Sequence, residues 1–117
     1  MKRLLIVDDD IRIQRLLKEE LEEDGYHVSI TSNGNEALYL LTSDHERYDL
    51  VILDLRMPKM NGLETLGFIL KIKLSLPVII FSAYSGYRND PLAMAADAYV
   101  LKSFDLSELK AKIHELV

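Results

Sequence analysis

Five short apolar runs, separated by longer stretches of helical period, constrain this chain more than any other feature. The runs are Leu4 to Val7, Val28 to Thr31, Leu50 to Leu53, Val78 to Phe81 and Tyr99 to Leu101. Apolar runs of this length are what strands covered on both faces look like. Between them, Ile13, Leu16, Leu17 and Leu21 form one apolar stripe, with Glu19, Glu20, Glu22 and Glu23 on the opposite side of the same helix. That helix stops near Gly25; a second follows the turn at Asn33-Gly34; a third begins around Gly62 and carries Leu63, Leu66, Ile69 and Leu70. Pro77 restarts an extended run. The last helix takes Asp105 as N-cap with Glu108 in capping-box register, and Leu106, Leu109, Ile113 and Leu116 on its core face. Strand and helix in strict alternation predict repeated βα units around a parallel sheet of five strands.

A chain of 117 residues with 49% hydrophobic content can bury one ordinary core, and no repeat or linker interrupts the pattern, so 1–117 reads as a single domain. The 14 basic and 19 acidic side chains leave a net charge of −5, which argues against direct nucleic-acid binding, since phosphate contacts need a cationic surface. Without cysteine there is no disulfide framework and no thiolate metal site, and a cytoplasmic location is the expectation. No apolar run approaches the roughly 20 residues a membrane helix needs, and the start lacks the apolar core of a signal peptide. The chain reads equally well as a whole protein or as the first domain of a longer one. His27, His45 and His114 are scattered without metal-ligand spacing.

In an open parallel sheet the functional crevice lies at the carboxyl ends of the strands. Asp8 and Asp9 follow Val7, Asp54 follows Leu53, Ser82 follows Phe81, and Lys102 follows Leu101. Taken singly each has an ordinary reading: an acidic pair opens a helix, Ser82 is a structural hydroxyl, Lys102 is solvated. Asp54 stands out alone, because a charge directly behind a buried strand needs a partner. Jointly, they bring three carboxylates, a hydroxyl and an ammonium to one end of the sheet. Carboxylates packed together stay ionised only if a cation neutralises them. Mg²⁺ (or Mn²⁺) suits an oxygen shell of one or two carboxylates, a backbone carbonyl and a phosphate oxygen. Such an arrangement fits phosphoryl transfer, with Asp54 as nucleophile, Lys102 and the metal stabilising negative charge, and Ser82 hydrogen-bonding a phosphoryl oxygen.

Over essentially its whole length the chain resembles the receiver domains of two-component response regulators. The resemblance is carried by Leu4-Leu5-Ile6-Val7-Asp8-Asp9, Asn33-Gly34-Asn35-Glu36-Ala37-Leu38 and Tyr48-Asp49-Leu50-Val51-Ile52-Leu53-Asp54. It continues through Met57-Pro58-Lys59-Met60-Asn61-Gly62-Leu63-Glu64, Ser82-Ala83 and Ala98-Tyr99-Val100-Leu101-Lys102. The resemblance implies a flavodoxin-like three-layer α/β sandwich, a five-stranded parallel sheet of order 2-1-3-4-5 with five helices. It implies a phospho-acceptor at Asp54, served by a sensor histidine kinase or a phosphotransfer protein. Metal would sit on Asp9, Asp54 and the backbone carbonyl of Arg56, with Asp8 nearby and acting through water. Ser82 would be drawn inward by phosphate and Tyr99 would turn into the space left behind. The change would be read by a downstream protein or output domain on helix 4, strand 5 and helix 5. Arg56 and Tyr84 take positions that tune phosphate lifetime in this family, and the bulk of Tyr84 is expected to slow attack by water. Outside the resemblance, Tyr99 is an ordinary strand aromatic and Tyr84 a surface loop aromatic.

Three departures from the family pattern stand in the sequence. Ser103 follows Lys102 where proline is usual, so the loop either takes a cis non-proline bond, costing about 3 to 4 kcal/mol, or a trans form. The stretch from Ser82 to Lys102 is slightly short, which predicts a short helix 4 or one starting late at Pro91. Ala95 stands where a helix-ending glycine is common, which predicts a less regular turn into the fifth strand. Two other readings compete with the phosphorylated switch. One is a receiver-like binding module that works without phosphorylation. The other takes Asp8-x-Asp10 as the aspartyl nucleophile motif of haloacid-dehalogenase-like phosphatases, and leaves Asp54 unexplained.

Overall fold

The computed structural model describes residues 1–43, 47–57, 61–72 and 75–117. Pro58, Lys59 and Met60 of the motif above, and His45, lie outside the described residues. Five strands alternate with five helices: β1 Arg3–Val7, α1 Ile11–Glu23, β2 His27–Thr31, α2 Gly34–Thr42, β3 Leu50–Leu53, α3 Gly62–Ile72, β4 Val78–Ser82, α4 Pro91–Met94, β5 Ala98–Leu101 and α5 Ser107–Leu116. Every strand pair is parallel and the order is β2-β1-β3-β4-β5, as the sequence predicts. Each strand begins or ends within one residue of its apolar run.

The period of two along each strand divides the core. Leu4, Ile6, Leu50, Ile52, Ile79 and Phe81 face one side, where Leu17 and Leu21 of α1 and Leu109 and Ile113 of α5 cover them. Leu5, Val7, Val51, Leu53, Val78 and Ile80 face the other, under Ala37 and Leu41 of α2, Leu66 and Ile69 of α3 and Ala93 of α4. Strands buried on both faces explain why they read as continuous apolar runs. Lys110 of α5 ties the first layer together by reaching Glu20 at 3.4 Å and Asp24 at 3.2 Å. Among the described residues, no helix is long and apolar enough to cross a membrane.

Helix ends follow local chemistry, with one correction. α1 starts at Asp10, whose carboxylate accepts the Arg12 N–H, and ends in a Schellman turn: Gly25 has φ +97°, its N–H donates to Glu22, and Tyr26 N–H donates to Leu21. Asn33 caps α2 by accepting the Glu36 N–H at 3.0 Å. α4 is a four-residue helix starting at Pro91 and capped by Asp90. Ala95 lies in the right-handed region, and the Ala95 and Ala96 N–H groups close tight turns onto Leu92 and Ala93. Without glycine there is no left-handed exit. The expected cap of α5 is displaced: the cap residue is Leu106, which makes no side-chain cap bond. Asp105 instead forms a local turn, accepting the Ser107 N–H at 2.9 Å. Burial of Leu106, which is 5% exposed, draws the chain inward one residue before the helix begins.

Candidate functional site

The acidic end of the sheet is built by backbone register. Asp54 N–H donates to the Val7 carbonyl at 2.9 Å and Asp8 N–H to Thr31 at 3.1 Å, so β1, β2 and β3 deliver Asp8 and Asp54 side by side. Both are buried, at 2% and 6% exposure, while Asp9 turns outward. Carboxylate oxygens of Asp8, Asp9 and Asp54 all lie within 4.8 Å of one another. Lys102 completes the cluster from β5: its ammonium lies 2.8 Å from Asp8 Oδ2 and 3.5 Å from Asp54 Oδ2. No cis peptide occurs among the described residues, so the Lys102–Ser103 bond is trans and the lysine still reaches both carboxylates. Its backbone N–H is anchored on the Ser82 carbonyl at 2.8 Å.

The charges do not balance. One ammonium faces three carboxylates, two of them cut off from water. Burial and then the neighbouring Asp8 charge raise the Asp54 carboxyl from 3.8 to about 6, against the opposing pull of Lys102. Asp8 is also raised, by burial first, although Lys102 and the Asp10 N–H favour its ionised form. For Lys102 burial favours the neutral amine, but the two carboxylates outweigh it and raise the ammonium. A hard divalent cation on these oxygens would cancel the uncompensated charge, and an all-oxygen carboxylate set is the donor chemistry Mg²⁺ and Mn²⁺ take. The residues therefore fit such a metal.

Ser82 is fully buried at the end of β4, and its hydroxyl oxygen accepts the Tyr84 N–H at 3.1 Å. Tyr84 is half-exposed; the Arg56 guanidinium stacks over its ring at 4.1 Å, and Arg56 Nε sits 3.5 Å from the Tyr87 hydroxyl. The Tyr99 hydroxyl donates to the Tyr84 carbonyl. Beside the acids an open cleft of about 400 Å³ is lined by Asp9, Arg56, Met57, Asn61 and Tyr87 among others. Asp10 is separate from this chemistry, since its carboxylate caps α1 and pairs with Arg12 at 3.2 Å. The Asp8-x-Asp10 pair therefore does not form the double-aspartate site of the phosphatase reading.

Some contributors escaped the sequence reading. Gln14 Nε2 donates to the Asp8 carbonyl at 2.6 Å and to Ser32 Oγ at 3.1 Å, pinning the acidic turn to the start of α2. A polar side chain inside the apolar stripe of α1 was the available signal. Gly62 packs so tightly under the acceptor strand that a Cβ there would lie 2.1 Å from the Asp54 carbonyl oxygen. Its N–H donates to Leu55 at 2.8 Å. Tyr87 and Arg88 carried no signal, because their partners lie on other strands and loops.

The family described as response regulator receiver domain matches residues 4–114. The transcriptional regulatory protein CpxR homolog of Haemophilus influenzae is 42% identical over 120 residues, covering 100% of this chain and 51% of that protein. The chain thus spans about half the length of the curated relatives it matches. Among solved structures, response regulator TrrA of Thermotoga maritima in complex with Mg²⁺-BeF superposes with a TM-score of 0.95 at 50% identity, covering 100% of both chains. A complex of histidine kinase ThkA with TrrA gives 0.92 at 50% identity, covering 100% of this chain and 99% of the matched one.

Proposed function

The chain belongs to the response regulator receiver domain family, and from that premise we propose that it is a signalling switch that accepts a phosphoryl group on Asp54. The observation that carries this reading is the buried Asp54, grouped with Asp8 and Asp9 and faced by Lys102. A carboxylate oxygen of Asp54 attacks the donor phosphorus; the O–P bond forms as the bond to the donor's leaving group breaks, and the leaving group departs with the electron pair. Asp8, Asp9, Asp54 and the backbone carbonyl of Arg56 would hold the Mg²⁺ (or Mn²⁺), Asp8 through water. The metal supplies neutralisation of the phosphoryl oxygens. Lys102 exchanges part of its contact with the carboxylates for a phosphoryl oxygen, and the Ser82 hydroxyl donates to another.

Drawing Ser82 toward phosphate pulls on the segment that ends in the Tyr84 carbonyl, which is the acceptor for the Tyr99 hydroxyl. Ser82 and Tyr99 form the switch pair, and a downstream protein or output domain reads the face of α4, β5 and α5. Arg56 and Tyr84, stacked at the mouth of the site, tune how fast water removes the phosphoryl group. The phosphoryl donor is a sensor histidine kinase or phosphotransfer protein, the location is cytoplasmic, and the single domain spans 1–117. The domain accepts phosphate stoichiometrically and is not a turnover enzyme. Neither nucleic acid nor membrane is bound directly.

The test is intact mass after incubation with acetyl phosphate and Mg²⁺, beside an Asp54→Asn control. A single phosphoryl adduct that requires metal and vanishes in the control is expected. No adduct with any donor or metal would overturn the proposal in favour of a phosphorylation-independent binding module.

A further inference from the structure

The loop between β4 and α4 engages Tyr99 twice. Its Tyr84 carbonyl accepts the Tyr99 hydroxyl, and its Arg88 guanidinium lies over the Tyr99 ring at 4.9 Å from the centroid. The loop is braced locally: Arg88 N–H donates to Ser85 at 3.1 Å, Asp90 N–H donates to Tyr87 at 3.0 Å, and the Asp90 carboxylate caps Leu92. Because α4 does not start until Pro91, the segment carrying Arg88 remains loop and folds against the ring. Among the described residues Arg88 has no carboxylate within ion-pair distance, so the π face is the partner the structure gives its charge. Tyr99 itself is half-buried, packed against the core layer under α2 and α3.

We propose that Arg88 is a positioning residue for the switch aromatic, clasping the Tyr99 ring while the Tyr84 carbonyl holds its hydroxyl. This rests on the reading of Tyr99 as a switch residue given above. A ring held at both ends by one loop moves with that loop, so the state of Ser82 at the loop's start is passed to Tyr99 with less slack than a lone hydrogen bond allows. The cation–π contact is surface-exposed, and contacts of that kind shift a two-state population about two- to five-fold. Arg88 biases the free domain toward this clasped orientation of Tyr99, which we take as the one that phosphorylation selects.

The experiment uses the full chain carrying ¹³C-labelled tyrosine, with Tyr99→Phe identifying the Tyr99 signals. Wild type, Arg88→Ala and Arg88→Lys are compared, free and titrated with Mg²⁺ and beryllofluoride as the phosphoryl analogue. In Arg88→Ala the Tyr99 ring resonances move toward those of free tyrosine and beryllofluoride binding weakens about two- to five-fold; Arg88→Lys recovers part of both. In a Tyr99→Leu background, which lacks the ring that Arg88 clasps, Arg88→Ala no longer weakens binding. Unmoved Tyr99 resonances in Arg88→Ala overturn the proposal. So does an equal loss of binding in the Tyr99→Leu background, where no ring is left to clasp, which would mark a general effect on the fold. Failure of wild type to bind beryllofluoride would instead count against the phospho-acceptor reading, while the resonances of the free protein still decide the clasp.

Discussion

Asp54→Asn is expected to make the metal-free protein more stable at neutral pH, and the site's electrostatics set the size and the pH window. In the fold the Asp54 carboxyl titrates at about 6 instead of 3.8. The folded state therefore holds its proton more tightly than the unfolded chain. Below about pH 4 both states are protonated and the group costs nothing. Between about 4 and 6 the unfolded chain ionises first, so stability falls as pH rises; above about 6 the full penalty stands. The difference of about two pH units corresponds to roughly 3 kcal/mol, which is an upper figure because the buried pair with Asp8 and Lys102 relaxes when one charge is removed. An isosteric amide removes the buried charge and keeps the shape. Urea denaturation in EDTA at pH 4.5 and pH 7.5 measures it. Asp54→Asn should exceed wild type by about 1 to 3 kcal/mol at pH 7.5, and by much less at pH 4.5. Saturating Mg²⁺ at pH 7.5 should narrow the gap, since wild type gains the cation that offsets its charge. A variant no more stable than wild type at pH 7.5, or an advantage independent of pH, would refute the reasoning.

The close approach of Gly62 to the acceptor strand makes Gly62→Ala costly, since a Cβ 2.1 Å from the Asp54 carbonyl forces backbone to move. A loss of about 3 kcal/mol or more in urea denaturation is expected, with slower phosphorylation by acetyl phosphate. Gly25→Ala, at φ +97° with open space around it, should cost about 1 to 2 kcal/mol by thermal melting and leave phosphorylation unchanged. Mg²⁺ affinity by calorimetry should be flat above about pH 7 and fall as pH drops through the Asp54 value of about 6, because protons and metal compete for the same raised carboxylates. Gln14→Leu frees the Asp8 carbonyl from its 2.6 Å anchor and should weaken Mg²⁺ binding several-fold by the same assay; unchanged affinity would show the acidic turn to be held without it.

The sequence by itself determined the parts of this protein that depend on local pattern. Apolar runs placed all five strands within a residue; in the central β1, β3 and β4, buried on both faces, no polar period blurs the ends, whereas the edge strands β2 and β5 are partly exposed. The acidic pair, Asp54, Ser82 and Lys102 were legible because each directly follows or closes such a run, and parallel strands put those ends together. The short α4 was legible from Asp90-Pro91, a cap followed by a first-turn proline. Tertiary structure alone decided which contacts join distant segments. It moved the start of α5 one residue past the expected Asp105 cap, with Leu106 buried and Asp105 still holding the Ser107 N–H in a turn ahead of the helix. Lys102 reaches Asp8 and Asp54 across a trans bond although proline is missing, since its course is set by anchoring on Ser82 and by attraction to two buried carboxylates. Arg88 on Tyr99, Arg56 on Tyr84 and Gln14 on the Asp8 carbonyl join segments that no local pattern relates. Periodicity reports which side of an element meets the core, whereas these pairings exist only after the sheet has set the distances between strand ends and loops.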